Sequence, residues 1–276
     1  MVKHFLKSLL RFFGVEVSRY RKPLKSVRTK RLTFHDTKTG KYYLPTDAHE
    51  DIVANAIIRN EVFEQEVIDC ARDFVTPHTS VLDVGANFGQ MSILFSSMVG
   101  SNGKVYSFDA DDFVFEILKK NISANGLENI VPVFGAVHNV AGTTLRFPEQ
   151  DFKERGAYGA YGIDYNATSG REVKTLTIDS LKIKERISFM KIDIQGGDLF
   201  AMQGAVKTIR RNKMPIVFEY EALLQDEFRF TFQDYIDFVQ KIEYRFDKVI
   251  SGHNYLILPE GRQHVINVPA RKNRGR

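Results

Sequence analysis

From position 77 onward the chain alternates short apolar runs with amphipathic helical stretches, and this alternation constrains the fold more than any other feature. Runs at 81–84, 104–108, 130–134, 189–194 and 215–218 read as buried strands, and 90–98, 112–124 and 198–211 read as helices between them. Strands separated by helical crossovers predict a mostly parallel, doubly wound α/β sheet with helices on both faces. A helix near 231–242 leads into two further strands, 246–250 and 255–259, separated only by Ser-Gly-His-Asn. So short a connection predicts an antiparallel pair at one edge of the sheet. Upstream, Leu32-Thr-Phe34, a polar turn at 37–41 and Tyr42-Tyr-Leu44 predict a hairpin, followed by helices at 48–59 and 62–75. The stretch 139–186 shows no sustained period. Its aromatic and glycine-rich piece, Tyr158-Gly-Ala-Tyr-Gly162, reads either as lining for a substrate or as an edge hairpin with no ligand role.

Length and charge divide the chain further. At 276 residues there is room for one such domain plus extensions. The expected organisation is a basic amphipathic segment at 1–33, a hairpin and helices at 34–75, the α/β domain at 76–260 and a basic tail at 261–276. The net charge of +5 hides an asymmetry: residues 1–33 carry +9, residues 262–276 carry +5, and the body between them carries −9. An acidic body does not predict a nucleic-acid groove, so nucleic acid is not an expected partner. Lone Cys70 excludes an internal disulfide framework and a zinc site built on several thiolates, and points to a reducing, cytoplasmic setting.

At the N-terminus Phe5, Leu6, Leu9, Leu10, Phe12 and Phe13 share one side of a helical wheel, with Lys3, Lys7 and Arg11 on the other. Lys7 and Arg11 interrupt the apolar run, which argues against a signal peptide and against a spanning helix. Three readings stay open: a helix docked on the body or on a second subunit, a peripheral contact with an anionic membrane, and a frayed tail.

The most informative stretch is Val81-Leu-Asp-Val-Gly-Ala-Asn-Phe-Gly89. A buried strand delivers the chain to a turn where Gly85 and Gly89 present no side chain, so backbone and helix start can approach a ligand closely. Asn87 stands at the middle position of what would otherwise be a dinucleotide turn, and no Lys-Ser/Thr pair makes it a phosphate loop. Asp83, at the strand end, would repel a pyrophosphate but suits the ammonium of an amino acid. Asp109, twenty residues past Gly89, ends the second strand, where an acid accepts hydrogen bonds from ribose hydroxyls. Its alternative reading is a cap for the helix that follows. Together the two acids favour a nucleoside that carries a cation, a description S-adenosylmethionine meets.

This turn is followed in order by Ser-Phe-Asp-Ala at 107–110, Asn-Gly-Leu-Glu-Asn-Ile at 125–130, Leu-Thr-Ile-Asp-Ser-Leu at 176–181, Met-Lys-Ile-Asp-Ile-Gln-Gly at 190–196 and Val-Phe-Glu at 217–219. The series resembles the FkbM family of S-adenosylmethionine-dependent methyltransferases over roughly residues 60–225. The resemblance implies a class I, Rossmann-like, seven-stranded fold and methylation of hydroxyl groups on sugars or natural products. Two departures stand out. Asp109 replaces a more usual Glu-Pro, and Gln195 replaces a carboxylate in the fourth-strand motif.

On this reading Asp83 and Gly85, with Asn87 and Gly89 of the same turn, hold the methionine end of the cofactor, and Gly135 and Ala136 border the adenine. Glu64 resembles an acid that closes over the methionine end, its alternative being a solvated helix face. An alcohol acceptor must lose a proton as the methyl arrives. Asp193 is the first candidate for that base and Glu219 the second. The same strand-end acids could instead hold a divalent cation, a metal role that is not favoured, and Asp193 could instead cap the following helix. His138 is a weaker candidate base, expected as a surface loop histidine. No Asn/Asp-Pro-Pro-Tyr/Phe follows the fourth strand, and Cys70 precedes the first, which leaves oxygen rather than nitrogen or pyrimidine carbon as the expected methyl acceptor. The expected acceptor is a hydroxyl-bearing small molecule or glycan. The rivals are an RNA 2′-O-methyltransferase that uses the basic ends and a catalytically silent binding protein on the same fold.

Overall fold

The computed structural model describes residues 31–262, apart from 153–155, 223, 225–227 and 229. The N-terminal amphipathic pattern through residue 30 and the tail beyond 262 lie outside the described residues. No helix among the described residues is long and apolar enough to cross a membrane.

The central sheet contains β3 (Ser80–Val84), β4 (Lys104–Asp109), β5 (Ile130–Phe134), β9 (Ile187–Ile192), β10 (Ile216–Glu219), β11 (Tyr244–Ser251) and β12 (Asn254–Pro259). Their spatial order is β5-β4-β3-β9-β10-β12-β11. β12 runs antiparallel to both neighbours, while β3, β4, β5, β9 and β10 are mutually parallel. This is the seven-stranded class I methyltransferase arrangement. The sequence pattern anticipated the antiparallel pair but not that β12 inserts between β10 and β11. Both faces of β12 are covered, and Leu256, Ile257 and Leu258 are fully buried in consequence.

Helices α1 (Ile52–Ile58), α2 (Gln65–Phe74), α3 (Gln90–Val99) and α4 (Asp112–Ala124) supply the core on one face, and α5 (Asp198–Gln203), α6 (Val206–Asn212) and α7 (Phe232–Lys241) that on the other. Side-chain alternation assigns the faces. Val81 and Phe189 point to the first core, while Leu82 and Met190 point to the second.

Three local expectations change. The helix read as continuous over 198–211 is two helices, because a Cβ at Gly204 would lie 2.0 Å from the His138 carbonyl oxygen and the chain turns there. Asp179 caps the second piece, its carboxylate accepting the backbone N–H groups of Lys207 and Thr208. The helix expected from residue 48 starts at Ile52, since Asp51 is its N-cap and accepts from the Ala54 N–H at 2.8 Å. The stretch at 139–186 is not irregular throughout. β7 (Thr144–Phe147) pairs antiparallel with β8 (Arg171–Leu176), and β8 pairs parallel with β6 (Ala136–Val137).

The N-terminal hairpin, β1 (Leu32–Thr37) and β2 (Gly40–Pro45), is sewn to the body by two asparagines of the α4 region. Asn121 accepts from the Tyr43 N–H and donates to the Phe88 carbonyl, and Asn125 both accepts from and donates to the Lys41 backbone.

Candidate active site

The strand order reverses between β3 and β9, and the turns after these two strands meet there. Gly85 makes the meeting possible: its φ is +86°, and a Cβ would sit 1.8 Å from the Asp193 carbonyl oxygen. The Asp193 N–H donates to Val84 O at 2.9 Å and locks the two turns together. Asn87 follows in the left-handed region at φ +50°, and its N–H donates to Asp109 Oδ2 at 3.0 Å. The other oxygen of Asp109 accepts from the Asp111 N–H at 2.9 Å.

Asp109 does not cap α4. That cap is Asp111, which accepts from the N–H groups of Phe113 and Val114 and pairs with Arg171 at 3.1 Å. Asp109 instead supports the glycine turn through Oδ2 and its own strand end through Oδ1, and lines the cleft. Burial pushes its carboxyl up to about 7, helped by nearby Asp111 and opposed by the Asp111 and Asn87 N–H groups and by Arg171.

A cleft of about 390 Å³ opens at the carboxyl ends of the strands. Gly85, Asn87, Asp109, Gly135 and Ala136 line it from the β3, β4 and β5 side, and Asp193 and Glu219 from the β9 and β10 side. The 156–165 segment also lines it, through Tyr158 to Ile163 and Tyr165, in the chain between the two strands of the β7–β8 antiparallel pair. This segment passes directly over both turns. A Cβ on Gly159 would meet the Asn87 amide at 3.0 Å, and one on Gly162 would meet Gln195 Cβ at 3.1 Å. Asp51 anchors it by accepting the Gly159 N–H at 2.9 Å, and the Tyr158 hydroxyl donates to Asp47 at 2.8 Å.

Three expected cofactor contacts sit elsewhere. Asp83 is fully buried and is not among the cleft-lining residues; it accepts from the Ser92 hydroxyl and lies in register with Lys191. Burial raises its carboxyl above the ordinary range, with Lys191 and Ser92 opposing. Asp83 meets the site through Lys191, which shares its face of the sheet and lines the cleft. Glu64 is neither cleft-lining nor on a solvated face. It occupies the N-cap of α2 at φ +51° and accepts from Asn254 at 2.7 Å, and its raised carboxyl reflects burial first and then Asp193. Gly89 is the N-cap of α3 at φ +90° and orients that helix without lining the cleft.

Both readings of His138 also change. It is 9% exposed, stacked on Phe200 at 4.3 Å, and absent from the cleft lining, because β6 pairing draws its backbone N–H to Leu176 O. Burial lowers its pKa. Glu219 lines the cleft, but its carboxyl is held well above the carboxylate range by burial and then by Asp193 and Asp198. Glu219 and Asp193 therefore lie together in the cleft, and each acts on the other's proton. Among the described residues no group of three or more His, Cys, Asp or Glu is arranged to hold a metal ion.

Sequence reasoning missed Lys191, whose side chain is only 5% exposed and whose Nζ donates to Gly85 O at 3.1 Å and Asp193 Oδ2 at 3.3 Å. A signal was present: it is the one charge in an otherwise apolar buried strand. Tyr165 and Phe228, cleft-lining rings 5.0 Å apart, carried no such signal because 165 and 228 are remote in sequence.

Two family models match the chain. The Methyltransferase FkbM domain matches residues 83–246, and the protein-L-isoaspartate(D-aspartate) O-methyltransferase family matches residues 10–140. No curated protein shows significant similarity. Among solved structures, a putative rRNA-methylase from Clostridium thermocellum is 13% identical with a TM-score of 0.45, covering 70% of this chain and 92% of that one. Methyltransferase FkbM from Methylobacillus flagellatus KT is 15% identical with a TM-score of 0.45, covering 77% of this chain and 57% of that one. A putative methyltransferase from Streptococcus mutans, in complex with SAH, is 10% identical with a TM-score of 0.42, covering 70% and 94%. With a match over more than half its length, on a seven-stranded sheet whose glycine turn and second-strand acid meet at the switch point, the chain belongs to the FkbM methyltransferase domain family and is an S-adenosylmethionine-dependent methyltransferase.

Proposed function

We propose that the chain methylates a hydroxyl oxygen, on a carbohydrate, glycoconjugate or natural product, with Asp193 as general base. The observation that carries this reading is the Asp193 carboxylate, which ends β9, lines the cleft with 18% of its side chain exposed, and is held by Lys191 and Gln195 at 3.3 Å each.

The cleft fits the cofactor. Glu64, Asp83, Asp193 and Asp198 gather around a single lysine, with Glu219 beside Asp193 and Asp198, an excess of acid suited to a cation. Asn87 Oδ1 and Glu219 Oε2 are buried oxygens of cleft-lining residues without a hydrogen-bond partner, an arrangement that calls for a donor from a ligand. Gly85 and Asn87 would border the methionine end, Asp109 the ribose hydroxyls, and Gly135 and Ala136 the adenine. When bound, S-adenosylmethionine supplies an electrophilic methyl on a sulfonium, open to in-line attack.

The protein's own contributions follow from the geometry. Asp193 takes the hydroxyl proton on a carboxylate oxygen while Lys191 and Gln195 fix its orientation. Glu219 lies beside Asp193 in the same cleft, its carboxyl raised by burial and by that neighbour. Tyr165 and Phe228 line the same cleft as Gln195, Glu219 and Glu221. Flat apolar rings next to hydrogen-bonding carboxyl and amide groups suit a polyol ring, which offers C–H on its faces and hydroxyls at its rim.

The test is transfer of labelled methyl to glycan, lipid-linked glycan and RNA fractions by the full chain and by Asp193→Asn. Expected are label in a glycan fraction, turnover reduced by about a hundredfold or more in the variant, and cofactor binding within a few fold. Unchanged turnover removes Asp193 from the base role. Label confined to RNA, with binding lost steeply as salt rises, replaces the carbohydrate reading with the RNA one.

A further inference from the structure

Lys191 lies where the two halves of the site meet. On one side its ammonium donates to the carbonyl of Gly85, the residue on which the cofactor turn pivots. On the other it pairs with Asp193, the first residue past β9 on the acceptor side. The charged neighbours that act on it most strongly are acidic: Asp193 after β9, Asp83 opposite it on β3, and Glu64 at the N-cap of α2. Burial alone would drive such a lysine toward neutrality. These three carboxylates reverse that, and its pKa lies above the ordinary lysine value. The ammonium in turn holds down both the Asp83 and the Glu64 carboxyls against their own burial.

A buried lysine with one ammonium shared among three acids from three elements costs desolvation energy, and an apolar side chain of the same length would fill the space. Packing therefore does not explain it. Its charge has two effects that packing lacks. It fixes the Gly85 carbonyl, and so the path of the turn, and it holds the Asp193 side chain in place by the ion pair at 3.3 Å.

We propose that Lys191 is a positioning residue for methyl transfer, tying the donor turn at Gly85 to the acceptor-side carboxylate of Asp193. The part concerning the turn rests only on cofactor binding, and the part concerning Asp193 rests on the proposed base.

Two variants of the full chain separate charge from shape: Lys191→Met keeps length and apolar bulk without charge, and Lys191→Arg keeps the charge. Thermal unfolding is recorded from pH 5 to pH 9, and binding of S-adenosylmethionine and S-adenosylhomocysteine is followed by calorimetry. For Lys191→Met the expected pattern is near-native stability at pH 5, where the unscreened Asp83 and Glu64 accept protons, and a loss that grows toward pH 9. Both ligands should bind at least tenfold more weakly at pH 8, since the turn has lost its anchor whichever ligand is used. Lys191→Arg should recover most of the binding and remove the added pH dependence. A pH-independent loss in Lys191→Met that Arg does not rescue would reduce Lys191 to a packing role and overturn the proposal. So would ligand binding within twofold of the parent. Neither readout uses an acceptor, so a failed search for methylated product would count against the proposed acceptor and leave this result intact. If the binding pattern appears while Asp193→Asn keeps full turnover, the tie to the turn stands and the role toward a base falls.

Discussion

Replacing Gly85 by alanine tests whether contact between the β3 and β9 turns builds the site. The residue sits at φ +86°, where an L side chain costs about 1–2 kcal/mol. The new Cβ would also lie 1.8 Å from the Asp193 carbonyl oxygen, so the two backbones must part by more than about 1 Å. That movement breaks the Asp193 N–H bond to Val84 O and the Lys191 bond to Gly85 O, worth about 1 kcal/mol and about 1.5–3 kcal/mol respectively. The expected loss is about 4 kcal/mol, a large share of the roughly 5–15 kcal/mol that stabilises a typical protein. Gly126→Ala provides the control, because Gly126 has φ +63° with nothing within 4 Å of the added carbon and should cost only the conformational part. Urea unfolding of both variants, with calorimetric titration of S-adenosylmethionine, measures the difference. Gly85→Ala should lose more than a hundredfold in cofactor affinity, or about 2.7 kcal/mol, while Gly126→Ala keeps it. Equal stability losses in the two variants, with cofactor binding intact in both, would refute the idea that the touching turns form the site.

Two other outcomes follow from the same geometry. The raised Asp109 carboxyl gives the cofactor affinity a direction with pH. As pH falls through about 7 the group gains a proton and loses acceptor capacity toward ribose hydroxyls, so calorimetry should show weaker binding at pH 6 than at pH 8. Asp109→Asn should bind more than tenfold more weakly at pH 8, about 1.4 kcal/mol, and lose that pH dependence. Its free form should gain stability over the parent above pH 7, where the parent must ionise a buried acid, and not below pH 4, where the acid is neutral in both folded and unfolded chains; identical pH–stability curves would contradict the assignment. Asp51→Asn keeps an oxygen to cap α1 but turns an N–H donor toward the Gly159 N–H. Stopped-flow release of S-adenosylmethionine should speed up about fivefold with little change in unfolding; an unchanged release rate would mean that the 156–165 segment does not gate the cofactor.

The parts of this site that were legible in the sequence are those carried by local rules. Gly85, Asn87 and Asp109 were readable because a strand that ends in a glycine turn and a second strand that ends in an acid are short-range patterns. The alternation of strand and helix specified a doubly wound sheet, and the short link at 251–254 specified an antiparallel pair. Asp83 and Glu64 were legible as unusual acids but not in their orientation. Asp83 follows the strand alternation into the core. Glu64 is turned inward by a left-handed N-cap that its own neighbours do not announce.

What only the tertiary structure decided is which distant pieces share an environment. The insertion of β12 beside β10, the passage of residues 156–165 over Asn87 and Gln195, and the burial of His138 against Phe200 each depend on contacts between segments far apart in the chain. Charge shows the division most clearly. Composition identified an acidic body between basic ends, but the sequence alone could not show that four of its carboxylates converge on one buried lysine. Electrostatic interaction depends on distance through space and on the surrounding dielectric, and both are set by packing.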